Sequence, residues 1–185
     1  RSGIIIDDVS LKPFAAAVVC DVKSPRIDSG ISAQVFRRDK DRVAIGELLK
    51  QCASKPVIDG IPFVQSQRPL MLSNAPWSNI AGADAVIPLQ GKFQEAVLLL
   101  TAMYVPNDAV GLIQLKWSYD NGQNRTVLLE NRKHLRDWFL ALEKGVQPAI
   151  KYAVAPNYHE YGVFMARIKN PEPDLTLKAL ELRAM

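Results

Sequence analysis

A strand–turn–strand pattern in the C-terminal part of the chain constrains the fold more than any other feature of the sequence. Residues 162–169 form a mostly apolar run that leads into the turn Asn170-Pro171-Glu172-Pro173-Asp174, and a second strand-like run covers residues 175–183. Prolines lack the amide hydrogen that pairing requires, so this turn cannot lie inside a sheet. The pattern predicts two strands joined by a rigid turn. In the second strand the apolar phase slips between Leu177 and Leu180, which predicts a β-bulge.

A β-hairpin is predicted between residues 112 and 130. Apolar and polar side chains alternate along its first strand, as expected for a strand with one buried face. Asn121-Gly122 predicts the turn, because both residues tolerate positive φ. The buried face would carry Ile113, Leu115, Trp117 and Tyr119, and the opposite face Gln114, Lys116 and Ser118.

Other apolar runs predict further strands. Residues 93–105 include Ala96-Val97-Leu98-Leu99-Leu100, which lacks alternation and therefore predicts a strand buried on both sides. Asp59-Gly60 predicts a turn, and Pro62 excludes a fully paired central strand there.

Two segments have a helical character. The spacing of Leu135, Trp138, Phe139 and Leu142 predicts a short amphipathic helix. Residues 43–52 fit either a second short helix or an irregular segment, since Gly46 weakens the helix.

Eight or nine strands with one or two short helices indicate an all-β protein, an antiparallel two-sheet β-sandwich of jelly-roll type. A length of 185 residues fits a single domain over residues 1–185, and the abrupt start at Arg1-Ser2-Gly3 is typical of a domain excised from a larger protein.

Charge and hydropathy restrict the partners. The net charge is +4, but basic and acidic residues are interspersed. The sequence has no basic stripe with interleaved aromatic residues, so nucleic-acid binding is not expected. The apolar runs are too short to cross a bilayer, so no membrane insertion is expected.

No catalytic motif stands out. His134 and His159 are far apart and have no cysteine at zinc-ligand spacing, and the sequence lacks a Gly-x-Ser-x-Gly elbow and a phosphate-binding loop. Asp7 and Asp8 would point to opposite faces of a strand, which argues against an acid–base pair. They remain candidates for a structural calcium site, and no other cofactor is predicted.

Binding candidates lie in the predicted loops and turns. Exposed aromatic rings stack on sugars, and polar groups at a hairpin tip hydrogen-bond hydroxyls, although the same residues also serve packing and turn geometry. Whether these loops share one end of the sandwich is left open by the sequence. The candidates are Trp77, Asp120, Asn121, Arg125, Tyr158, His159 and Tyr161.

The order of several short motifs resembles that of bacterial galactose-binding-like sandwich modules, which are attached to glycoside hydrolases and surface proteins. The matching segments are Val9-Ser10-Leu11-Lys12-Pro13-Phe14, Asp59-Gly60-Ile61-Pro62-Phe63, Ile87-Pro88-Leu89, Leu115-Lys116-Trp117-Ser118-Tyr119-Asp120-Asn121-Gly122, Arg136-Asp137-Trp138 and Asn170-Pro171-Glu172-Pro173-Asp174. The start of the chain departs from the pattern, and residues 96–100 replace an aromatic-rich strand.

The resemblance implies a non-catalytic accessory module that binds carbohydrate or docks against a neighbouring domain of a larger extracytoplasmic protein, periplasmic or secreted. Two alternatives stay open. One is a small glycan-active hydrolase or lyase that uses His159, Glu160 and Tyr161 as its acid–base group. The other is a structural spacer domain.

Overall fold

The fold is built from antiparallel β-sheets. The computed structural model describes residues 3–12, 18–20, 47–48, 50–52, 54–55, 57–63, 70–73, 84–141, 144–154 and 159–185. Within these ranges residues 47, 48 and 50–52 are helical, and there are twelve strands, more than the sequence predicted. The strands are β1 (Gly3–Lys12), β2 (Val18–Cys20), β3 (Val57–Ile58), β4 (Ile61–Pro62), β5 (Leu70–Ser73), β6 (Asp84–Gly91), β7 (Glu95–Met103), β8 (Gly111–Tyr119), β9 (Asn124–Glu130), β10 (Ile150–Val154), β11 (His159–Lys169) and β12 (Leu177–Ala184).

Two sheets dominate, and every strand pair in them is antiparallel. The larger has the order β10-β11-β7-β1-β2, with β5 also paired to β1. Strands β5 and β2 share one edge of β1, at residues 3–6 and 9–11, while β7 occupies the other edge. The smaller sheet has the order β6-β12-β8-β9, and β3 and β4 form a separate small hairpin. The all-β, antiparallel prediction is confirmed.

Residues of both large sheets form one hydrophobic core, called here the inner core. Strand β7 contributes Leu98 and Leu100, and β8 contributes Leu115 and Trp117, all with no exposed surface. The alternation along β8 is the predicted one, because its apolar residues are buried whereas Gln114, Lys116 and Ser118 are partly exposed. Burial of this alternating face holds the two sheets together.

The opposite face of β7 is also covered, by a second cluster called here the outer core. Val97 and Leu99 of β7 pack there with Leu48 of the helical residues and Phe63, which follows β4. Strand β7 is therefore buried on both faces, as its lack of alternation predicted.

The predicted turns of the two hairpins are confirmed. Asp59 and Gly60 between β3 and β4 have φ of 49° and 76°. Between β8 and β9, Gly122 has φ of 83° and its N–H donates to the Tyr119 carbonyl at 3.1 Å. The bulge predicted in β12 is present as a register shift between Leu177 and Ala179.

The short helix predicted around residues 135–142 is wrong. Residue 138 instead lies between two strands: its N–H donates to the Ala102 carbonyl of β7, and its carbonyl accepts from Gly162 N–H of β11. Leu135 packs in the inner core whereas Trp138 packs in the outer core. The helical spacing misled because these apolar residues serve two different cores.

Among the described residues, no helix has both the length and the apolar character needed to span a membrane.

Candidate functional site

The predicted hairpin candidates lie against the proline turn. The Arg125 guanidinium forms an ion pair with Glu172 at 2.6 Å, and the Asp120 N–H donates to the Thr176 carbonyl at 3.0 Å. Asn121 is exposed, and its Oδ1 accepts from the Gln123 N–H. The contacts of Arg125 and Asp120 join the hairpin to the segment that follows β11, whereas the contact of Asn121 stabilises its own turn. Arg125 and Asn121 therefore have structural partners already.

The candidates His159 and Tyr161 lie at the start of β11, whereas the proline turn follows the end of this strand. Tyr161 is 3% exposed and its ring packs 4.6 Å from that of Trp138, so it offers no face for stacking on a sugar. The His159 ring contacts Phe139 edge-on at 5.0 Å. Because β11 has 11 residues, roughly 35 Å separates His159 at its start from the proline turn at its end, where Glu172 pairs with Arg125. The structure therefore does not bring the two groups into one site.

The arrangement on β11 also opposes an acid–base group. Successive strand residues face opposite sides, so His159 and Tyr161 share one face and Glu160 points away. Half of the Glu160 side chain is exposed, and its carboxylate lies 3.9 Å from the Lys151 ammonium.

Two of the predicted aromatic candidates, Trp77 and Tyr158, lie outside the described residues. Of the calcium candidates, Asp8 pairs with Leu99 of β7, and Asp7 stands at a register shift of β1. Within the described part of the chain, no three His, Cys, Asp or Glu residues cluster closely enough to hold a metal ion. Calcium binding by Asp7 and Asp8 stays a prediction.

Two adjacent charged residues, Arg136 and Asp137, are buried, which the sequence did not predict. Asp137 is 3% exposed and accepts hydrogen bonds from the N–H groups of Val105 and Phe139, at 3.0 and 2.9 Å. Arg136 is 5% exposed, and its guanidinium lies 5.6 Å from the centre of the Phe164 ring. The backbone partners of Asp137 indicate a structural role, and the apparent helical period hid this burial.

The outward side of the four-stranded sheet, called here the open face, is a different kind of surface. The strand registers set its side chains in rows across the four strands, and in antiparallel pairing opposite residues share a face. One row contains Asp84, Arg183, Gln114 and Leu128; the next contains Val86, Glu181, Lys116 and Thr126; the third contains Pro88, Ala179, Ser118 and Asn124.

Charges on the open face compensate one another. The Lys116 ammonium lies 3.0 and 3.1 Å from the two oxygens of Glu181, and the Arg183 guanidinium donates to both oxygens of Asp84, at 2.5 and 3.1 Å. The Ser118 hydroxyl donates to Glu181 at 2.5 Å and, with the Lys116 ammonium, lowers the pKa of the Glu181 carboxyl below its ordinary value. Glu181 thus stays ionised, and the two ion pairs leave the face electrically neutral.

These side chains surround an open depression of about 400 Å³. Its lining offers carboxylate acceptors, ammonium and guanidinium donors, and the amide of Gln114, which both donates and accepts. Val86 adds an apolar surface and is 63% exposed. The volume falls within the range of roughly 300–1,000 Å³ that is typical of small-ligand sites. The depression can therefore hydrogen-bond a polar, uncharged ligand that also has an apolar edge.

Part of the open face was visible in the sequence. The alternation of β8 placed Gln114, Lys116 and Ser118 together on the face away from the core. No local signal shows that β12 lies between β6 and β8, and this pairing brings Glu181 and Arg183 to the same surface.

Comparison of the chain with protein-family models, with curated proteins and with solved structures found no match.

Proposed function

We propose that the chain is a non-catalytic accessory module of a larger extracytoplasmic protein and that its open face binds carbohydrate. The order of motifs that resembles galactose-binding-like jelly-roll modules supports this class, and so does the antiparallel architecture. The depression on the open face is the observation that supports carbohydrate as the ligand.

The depression fits a polyhydroxylated ligand for a chemical reason. Each sugar hydroxyl donates one hydrogen bond and accepts others, so recognition needs donors and acceptors side by side. Gln114 and the ion pairs of Lys116 with Glu181 and of Arg183 with Asp84 provide both. The exposed Val86 can pack against the C–H face of a sugar ring.

The open face is accessible to a ligand, unlike the outward side of β7 and β11. The outward side of β7 and β11 in the larger sheet is covered by the outer core, which includes the helical residues and the β3–β4 hairpin. The open face, in contrast, has exposed or half-exposed side chains on both β6 and β8.

Binding can be tested by isothermal titration with neutral oligosaccharides. We expect Gln114→Ala and Lys116→Ala to weaken binding by roughly tenfold each, since each removes hydrogen-bonding groups at a largely solvated site. Lys151→Ala, which removes an exposed lysine from the other sheet, is the matched control and should bind as the unmodified chain does. Unchanged affinity in both open-face variants would place the ligand elsewhere.

The same material tests the alternatives. A folded chain that binds no glycan but forms a stable contact with a neighbouring domain is a docking or spacer module. The chain is instead a hydrolase or lyase if it cleaves a glycan and if His159→Ala abolishes this cleavage without unfolding the protein.

A further inference from the structure

Strand β9 forms one edge of the four-stranded sheet and pairs only with β8 among the described strands. Its seven residues contain neither proline nor glycine, whereas β6 at the other edge contains Pro88, which cannot donate to an added strand. Thr126 and Leu128 of β9 are exposed. The edge at β9 is therefore suited to pairing with a further strand.

The direction of the backbone groups along β9 follows from the hydrogen bonds at its two ends. The Gln123 carbonyl accepts from the Tyr119 N–H of β8, so the odd-numbered residues of this segment face β8. Glu130 faces the other way: its N–H donates to His134 Nδ1 at 2.9 Å and its carbonyl accepts from the His134 N–H at 3.1 Å. Because backbone groups alternate along an antiparallel strand, those of Thr126 and Leu128 also point away from β8.

His134 thus occupies the edge of β9 at Glu130 and leaves the middle of the strand open. Two N–H groups and two carbonyl groups, those of Thr126 and Leu128, form a pattern that is complementary to itself. When two copies of β9 run antiparallel about a two-fold axis at Val127, Thr126 of each copy lies opposite Leu128 of the other. Four inter-chain backbone hydrogen bonds then form, and no like charges face each other.

We propose that β9 pairs with β9 of a second copy of the chain, which joins two four-stranded sheets into one continuous eight-stranded sheet. This register keeps the open faces of both copies on the same side, with Leu128 of each copy beside Thr126 of the other. The contact is short, so the dimer is weak and reversible. It does not depend on what the open face binds, but a shared face would present two depressions to a repeating ligand.

The test is sedimentation analysis of the chain at protein concentrations up to about 1 mM. Thr126→Pro removes an N–H that points away from β8, so the monomer keeps its ladder while the dimer loses two symmetry-related bonds. We expect the dimer dissociation constant to rise roughly thirtyfold. Leu128→Lys places one additional positive charge from each copy at the β9–β9 contact and should also weaken the dimer. This second variant tests the contact without altering the backbone.

Val86→Lys is the matched control, because it adds the same charge to an exposed residue at the other edge of the same sheet, and it should leave the dimer unchanged. The proposal is overturned if the unmodified chain stays monomeric over this range. It is equally overturned if a dimer forms that neither Thr126→Pro nor Leu128→Lys weakens in folded protein.

Discussion

The side chain of Asn170 joins three parts of the chain, and its removal should destabilise the protein strongly. Asn170 is 5% exposed. Its Oδ1 accepts from the hydroxyl of Tyr119 at 2.5 Å and from the N–H of Glu172 at 3.0 Å, and its Nδ2 donates to the Phe93 carbonyl at 2.7 Å. Burial raises the pKa of Tyr119, which keeps its hydroxyl protonated as the donor.

Asn170→Ala would leave all three partners without this side chain. Tyr119 and Phe93 are buried, so each unpaired group costs about 1–3 kcal/mol, while the half-buried Glu172 N–H costs about 1 kcal/mol or less. The expected loss is therefore about 3–5 kcal/mol in the free energy of unfolding, or roughly 10 °C in Tm for a chain of this size. Urea unfolding followed by circular dichroism measures it, with the slope of the transition unchanged.

Two comparisons make the test specific. Tyr119→Phe alone should cost about 1 kcal/mol, but in the Asn170→Ala background it should restore about 1 kcal/mol or more, because it removes a buried hydroxyl that has already lost its partner. Asn124→Ala removes a side chain from an exposed position of the neighbouring hairpin and should cost about 0.5 kcal/mol or less. A loss below about 1 kcal/mol for Asn170→Ala would refute the reasoning.

Three further outcomes are expected. Leu98→Ala and Leu99→Ala should each cost about 2–5 kcal/mol in urea unfolding, because β7 is buried on both faces; a small effect of either contradicts that burial. Gly145→Ala should lower Tm by several degrees, because its new Cβ would lie 2.7 Å from a backbone oxygen at a φ of 150°; an unchanged Tm would show that the backbone adapts. Burial, helped by a neighbouring lysine, lowers the pKa of His134, so the folded state takes up its proton less readily than the unfolded state. The contribution of His134 to the free energy of unfolding should be fully present above about pH 6.5 and should be lost as the pH falls through the lowered pKa. His134→Asn should flatten this dependence, which is measured as the urea midpoint against pH.

Local patterns predicted the parts of the fold that depend on one strand and its turn. The alternation of β8 gave its buried face and its outward residues, and the unbroken apolar run at 96–100 gave the double burial of β7. The helix predicted around Leu135 failed because one segment supplies side chains to two cores, and a spacing rule assumes a single buried face. Local patterns do not encode which cores lie on either side.

The candidate site shows the same division. Gln114 and Lys116 were placed outward by the sequence, but their partners Arg183 and Glu181 come from β12, which is more than 60 residues away. The hairpin tip and His159 were grouped by residue type alone. Their separation along β11 follows from strand pairing, which no single motif reports.

The position of β12 has a consequence for how the chain folds during synthesis. In the smaller sheet β6 and β8 are not neighbours, because β12 lies between them, and in the larger sheet β7 lies between β1 and β11. The ribosome synthesises β11 and β12 after the other described strands. Until then, the edge of β7 that pairs with β11 and the edge of β8 that pairs with β12 have no partner strand. Long-range pairing of this kind slows folding and prolongs exposure of strand edges. We therefore expect both sheets to close together and late, as one cooperative event once residues 159–184 have left the ribosome.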